Sequence, residues 1–163
     1  MYAITSHKLY HYLKTMTEST NSSTRYAGLF RRLFAIFYDL FLLLAIYFIV
    51  SYAAIFINDG RAIEPTDTFY PLFVLLIFSL SYLYFAWFWT HGGQTLGMKT
   101  WRMQLQTEDN TDINWQTATI RFFCAILSWS VAGIGFLWTL FDSKNRSWHD
   151  LASKTLLIDL RPK

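Results

Sequence analysis

The sequence predicts an all-α membrane protein: two transmembrane helices, a third hydrophobic segment that is either a span or a re-entrant broken hairpin, and a small cytoplasmic β-hairpin-like element. Three observations lead there. The 163 residues are 53% hydrophobic and only 15% charged, against about 25% charged in an ordinary soluble domain. The mean hydropathy is +0.24. The charges are also missing in blocks: Leu33–Ile57 holds one, Asp39, while Thr68–Met98 and Phe122–Phe141 hold none. A helix needs about 20 apolar residues to cross a hydrocarbon core about 30 Å thick. Membrane segments are therefore expected at about 30–56, about 69–90 and about 119–141. Open strands in lipid would leave backbone groups unpaired, and three segments cannot close a barrel. The same composition excludes disorder, a disulfide-stapled scaffold and a typical cytosolic enzyme. The lone cysteine, Cys124, lies in a membrane segment and is expected to be a structural thiol. The net charge of +3 is read as a signal of orientation, not of nucleic-acid binding. The expected partners are the lipid bilayer and either further copies of the chain or another membrane protein.

Taken in order, residues 1–25 read as a flexible polar tail with a Ser/Thr-rich run at 15–24 and no apolar signal-peptide core. Residues 26–160 read as one membrane domain. The first segment is preceded by Lys8, Lys14, Arg25, Arg31 and Arg32 against Glu18, and followed by a loop with Arg61 against Asp59, Glu64 and Asp67. The positive-inside rule places the N-terminus in the cytoplasm and that loop outside. The second segment returns to Lys99 and Arg102, with Tyr70, Trp87, Trp89 and Trp138 expected near interfaces.

The third segment poses a conflict. A full span would put Lys144, Arg146, Lys154, Arg161 and Lys163 outside. Ala132-Gly133-Ile134-Gly135 offers a way out, because each glycine weakens a helix by roughly 1 kcal/mol. A break there leaves two short arms, and a re-entrant hairpin would return the tail to the cytoplasm. Between these segments, the alternation of Trp101, Met103 and Leu105 with Arg102, Gln104 and Gln106 predicts a strand. TEDNTD at 107–112 signals a turn, and Ile113–Trp115 is expected to pair back. TLLIDL at 155–160 is a second β-like run that could pair with 101–106 if both lie on one membrane face.

Asp39 is the sharpest candidate. A carboxylate inside an apolar helix costs about 2.5–3.5 kcal/mol even on insertion scales. Arg32 lies two turns earlier on the same face, too far for an easy direct pair, so it should snorkel or meet an acid elsewhere. Arg121 is the expected counter-ion of Asp39. Functionally this is either an ion or proton relay or a structural pair that fixes packing. Gly93, Thr95 and Gly97 form either a membrane-exit turn or an anion-binding nest, without the spacing of a nucleotide loop. Asp142 and Asp150 are acceptors that could hold Arg32 or Lys99. His149 beside Asp150 lacks an accompanying nucleophile motif, and His7, His11, His91 and His149 fit no zinc spacing. No catalytic residue, metal or cofactor is expected.

Together these motifs resemble the RDD family of bacterial membrane proteins. The run from Tyr26 through Arg31, Arg32 and Ala35 to Asp39 resembles its first helix, with an arginine at the start and an aspartate within. Gly93-Gln94-Thr95-Leu96-Gly97-Met98-Lys99 resembles its G-x-T-x-G-K-R segment, with Met98 where a lysine is common. Arg121 falls where the family opens its last hydrophobic segment. Phe141-Asp142 and the stretch from His149-Asp150 to Thr155 resemble its closing element. The resemblance implies that Arg32 and Asp39 are the family's arginine and first aspartate, and that the last aspartate is Asp150 or Asp142. It also implies a bacterial inner-membrane location. The expectation is a multi-pass protein that aids transport of an ion or small solute as a homo-oligomer. The alternative is a non-transporting assembly or partner-binding subunit whose buried charges are structural.

Overall fold

The computed structural model describes residues 25–131 and 133–162. The polar tail, apart from Arg25, lies outside the described residues, as does Ala132. Helix α1 runs Leu29–Ile57 and α2 runs Tyr70–Thr90. Both are long and apolar enough to cross a membrane. At 1.5 Å per residue, α1 is about 44 Å long, so it outreaches the hydrocarbon core. Its exposed face is a row of Phe30, Phe34, Phe37, Phe41, Phe48 and Phe56, which only lipid or another apolar surface would solvate cheaply. Its buried residues, Arg32, Ala35, Asp39 and Leu43, recur at helical spacing and form a single stripe. In α2, Pro71 occupies the first turn, where a missing N–H costs nothing.

A short helix α3, Leu96–Thr100, follows the Gly92-Gly93 turn, and its Thr95 cap accepts from the Met98 N–H. Strand β1, Met103–Thr107, comes next. It pairs antiparallel with β2, Thr155–Asp159, in a register that sets Leu105 opposite Leu157. Trp101 and Arg102, read from sequence as part of the strand, instead close α3, with Arg102 at φ 51°. Trp101 stacks on Phe34 at 5.0 Å.

The expected back-pairing of Ile113–Trp115 does not occur. Ile113 is buried in the core, Asn114 caps the next helix by accepting from the Thr117 N–H at 2.8 Å, and Trp115 begins it. An Asn side chain that satisfies an orphan N–H at a helix start outweighs a three-residue strand. That helix, α4 (Trp115–Ser130), is bent by 108° from the run Ile134–Leu140, which comprises α5 (Ile134–Leu137) and one 3-10 turn. The bend falls at Gly133, whose φ of 73° lies in the left-handed region that favours glycine. Helix α6, Trp148–Ala152, then leads into β2.

The two ends of the described chain meet. The Ala27 N–H donates to the Leu157 carbonyl at 2.8 Å, the Asp159 N–H donates to the Arg25 carbonyl at 2.7 Å, and Tyr26 bridges to Ile158. The chain thus enters α1 and finishes in β2 at the same end of α1. Trp89, expected near an interface, is only 6% exposed and sits in the core with Met103, Leu105, Phe122 and Leu157.

Candidate functional site: two buried carboxylates

Asp39 comes from the middle of the buried stripe of α1 and is 2% exposed. Three donors converge on it. The Thr95 hydroxyl donates to Oδ2 at 2.5 Å, the Gly97 N–H to Oδ1 at 2.8 Å, and the Tyr84 hydroxyl to Oδ1 at 2.8 Å. The Gly-rich turn thus supplies one backbone N–H and the Thr95 hydroxyl to the Asp39 carboxyl group. Gly97 is required by proximity: a Cβ there would lie 2.8 Å from Asp39 Oδ2 and against the Ala35 carbonyl. Gly93, at φ 70°, backs onto the Leu105 carbonyl and accepts the Leu105 N–H at 2.8 Å. This ties the turn to β1.

Arg121, expected as the counter-ion of Asp39, pairs elsewhere. Its Nη1 donates to Asp150 Oδ1 at 2.5 Å and to Thr155 Oγ1 at 2.6 Å. Arg32 meets an acid in another segment, as one of its expected fates required. Its Nη1 donates to Asp150 Oδ2 at 2.6 Å, its Nη2 to the Asn145 carbonyl at 2.8 Å and its Nε to the Ala27 carbonyl at 3.0 Å. Asp150 is fully buried, and it also accepts from the Ser147 N–H and hydroxyl, both at 2.8 Å. As the third residue of α6, reaching back to Ser147, it caps that helix while clamping it to α1 and α4. Seven hydrogen bonds through one carboxylate and its two arginines thus tie together α1, α4, the loop before α6, α6 and β2.

Burial alone would raise the Asp150 pKa, but the two guanidiniums and the Ser147 N–H outweigh it and hold the carboxyl well below the usual range. His149 is 5% exposed, and burial pushes it down to about 3. It is neutral at physiological pH. Because Ser147 gives its one hydroxyl proton to Asp150, His149 Nε2 donates to Ser147 Oγ at 2.8 Å, which leaves Nδ1 as an acceptor.

Asp142 is the wrong candidate for the buried centre. It sits in the loop after the 3-10 turn and binds Arg146 at 2.9 Å; Arg146 in turn reaches Glu108 at 2.8 Å. Those hydrogen bonds, chiefly from Arg146, lower its pKa to about 2. Tyr84 and Ser147 belong to the site but were not singled out from the sequence, and Thr155 entered only as the last residue of the resembled closing element. The only signal for Tyr84 is a polar tip within an apolar helix. Among the described residues, no three His, Cys, Asp or Glu side chains group as metal ligands.

Two apolar helices long enough to span, a bent third segment and a carboxylate buried between two arginines define a helical protein of membrane type. The chain belongs to the RDD family: the family model matches residues 26–154, most of its length. No curated protein and no solved structure matches it.

Proposed function

We propose that this RDD protein is a non-transporting assembly or partner-binding subunit of the bacterial inner membrane, and that its buried charges hold its architecture together. The observation that carries this reading is saturation. Asp39 accepts three hydrogen bonds and Asp150 four, all from within the chain. An acid that relays ions has to exchange partners with a water path, whereas breaking either constellation would strand buried donors at about 1–3 kcal/mol each.

The third segment is read as re-entrant, which reconciles the bend at Gly133 with the meeting of residues 25–27 and 157–159. With both on the cytoplasmic side, Arg25, Arg102, Arg146, Lys154 and Arg161 gather there, in agreement with the positive-inside rule. The exposed arm with Leu137, Trp138, Leu140 and Phe141 then lies against lipid or a neighbouring membrane protein.

Reconstituted vesicles test the reading. The expected result is no proton or cation flux above protein-free vesicles, from wild type or from Asp39→Asn. A photo-crosslinker at Phe141 in native membranes should give one discrete protein adduct. A flux that is abolished by Asp39→Asn, retained by Arg61→Gln and accompanied by unchanged stability of the Asn variant would establish transport instead.

A further inference from the structure

A cavity of about 170 Å³ lies between α1, α2 and α4 beside the Asp150 cluster. Its wall is mostly apolar, with Phe85, Phe122, Ile126 and Phe136 among its residues. Trp89, Arg121 and His149 also line it. Each of these three is at least nine-tenths buried, and each has a polar atom without a hydrogen-bond partner among the described residues: Trp89 Nε1, Arg121 Nε and His149 Nδ1. A buried polar atom without a partner costs about 1–3 kcal/mol, and three around one cavity call for an occupant that meets them.

Their chemistry narrows that occupant. Arg121 Nε and Trp89 Nε1 are donors. His149 Nδ1 is an acceptor, as its bond to Ser147 requires. The Arg121 guanidinium lies over the Trp89 ring at 5.2 Å, and both residues line the same cavity. Asp150 balances only one of the two arginines it binds, so the local charge favours an acid. A carboxylate supplies two acceptor oxygens for the two donors and the charge that the second arginine lacks. Size limits the remainder: an apolar cavity of about 150 Å³ accommodates benzene. We propose that this cavity binds a small apolar carboxylic acid of benzoate size, with its carboxyl group on Arg121 and Trp89 and its ring against Phe85, Phe122 and Ile126. The site stands independently of whether the protein transports or assembles.

Fluorine NMR of fluorobenzoate with the full-length protein in nanodiscs tests it. Benzoate should displace the probe, whereas benzamide and toluene should compete at least about tenfold more weakly, the cost of losing a hydrogen bond to a charged group. Ala125→Leu, which fills the cavity wall without touching a charge, should abolish binding. Trp89→Phe, which keeps the ring and removes the N–H, should weaken it about tenfold. Toluene competing as well as benzoate would reduce the site to a plain apolar cavity and overturn the proposal. So would absence of binding to a protein shown folded by circular dichroism, which would mean water alone satisfies the three atoms. A twelve-carbon fatty acid that outcompetes benzoate would assign the site to lipid acids and overturn the small-acid assignment.

Discussion

Replacing Asp150 with asparagine keeps the shape of the side chain and removes its charge. In the native protein that charge faces Arg32 at 2.6 Å and Arg121 at 2.5 Å, with all three side chains almost wholly buried. Removing one partner of a buried ion pair costs about 3–5 kcal/mol, because the other charge is left uncompensated. Here two guanidiniums share the loss, and the amide oxygen can still accept from one of them, so the same range applies to the pair. For a chain of this size about 1 kcal/mol moves the unfolding midpoint by roughly 2–4 °C. The expected drop is therefore about 6–20 °C, followed by tryptophan fluorescence in micelles. Asp142→Asn is the internal comparison. Its partner Arg146 is 22% exposed, and such pairs contribute at most about 1 kcal/mol, so its midpoint should fall by less than about 4 °C. Equal drops for the two variants, or an Asp150→Asn midpoint within about 2 °C of wild type, would refute the claim that the cluster holds the fold. The pH sign follows from the depressed pKa. The contribution of Asp150 is fully present above its unfolded value of 3.8 and is lost only as pH falls below that toward the folded value.

Three further outcomes are expected. His149 is neutral when folded and titrates near 6.5 when unfolded, so its contribution to stability falls with pH below 6.5, by about 2 kcal/mol at pH 5; His149→Gln should flatten that part of the pH–stability curve in denaturant titrations. Gly97→Ala should destabilise by about 1–3 kcal/mol through overpacking, and a midpoint unchanged from wild type would mean that Asp39 and the Gly97 turn do not touch. Cysteines at Arg25 and Leu160, both exposed, should react with an impermeant thiol reagent from the same side of the membrane; labelling from opposite sides would rule out the returning third segment.

The helices were legible because lipid makes a one-sided demand. Where charges vanish for twenty residues, only a helix fits, and the ends of α1 and α2 fall close to the expected boundaries. The break at Gly133 was legible for a similarly local reason, since the two glycines at 133 and 135 weaken a helix. Short-range cues competed at Ile113–Trp115, where the preceding TEDNTD turn suggested a strand pairing back and the Asn114 cap prevailed. Partner choice was the least legible. Arg121 could have served either acid, and nothing in its spacing says that Asp150, 29 positions on, receives it while Asp39 is held by hydroxyls and an amide. Trp89 looked like an interface anchor because its ring is amphipathic; its burial over Arg121 is decided by how α2 packs on α4.

A purely structural Asp39 requires its carboxyl group to stay permanently capped. Amide hydrogen exchange at Gly97, the backbone donor to Asp39 Oδ1, reports this directly. The prediction is protection at Gly97 comparable to the centre of α1 in wild type, lost on Asp39→Ala while the α1 amides stay protected. Rapid exchange at Gly97 in the wild-type protein would show that the carboxylate leaves its donors, as a relay must, and would contradict the structural role assigned to it here.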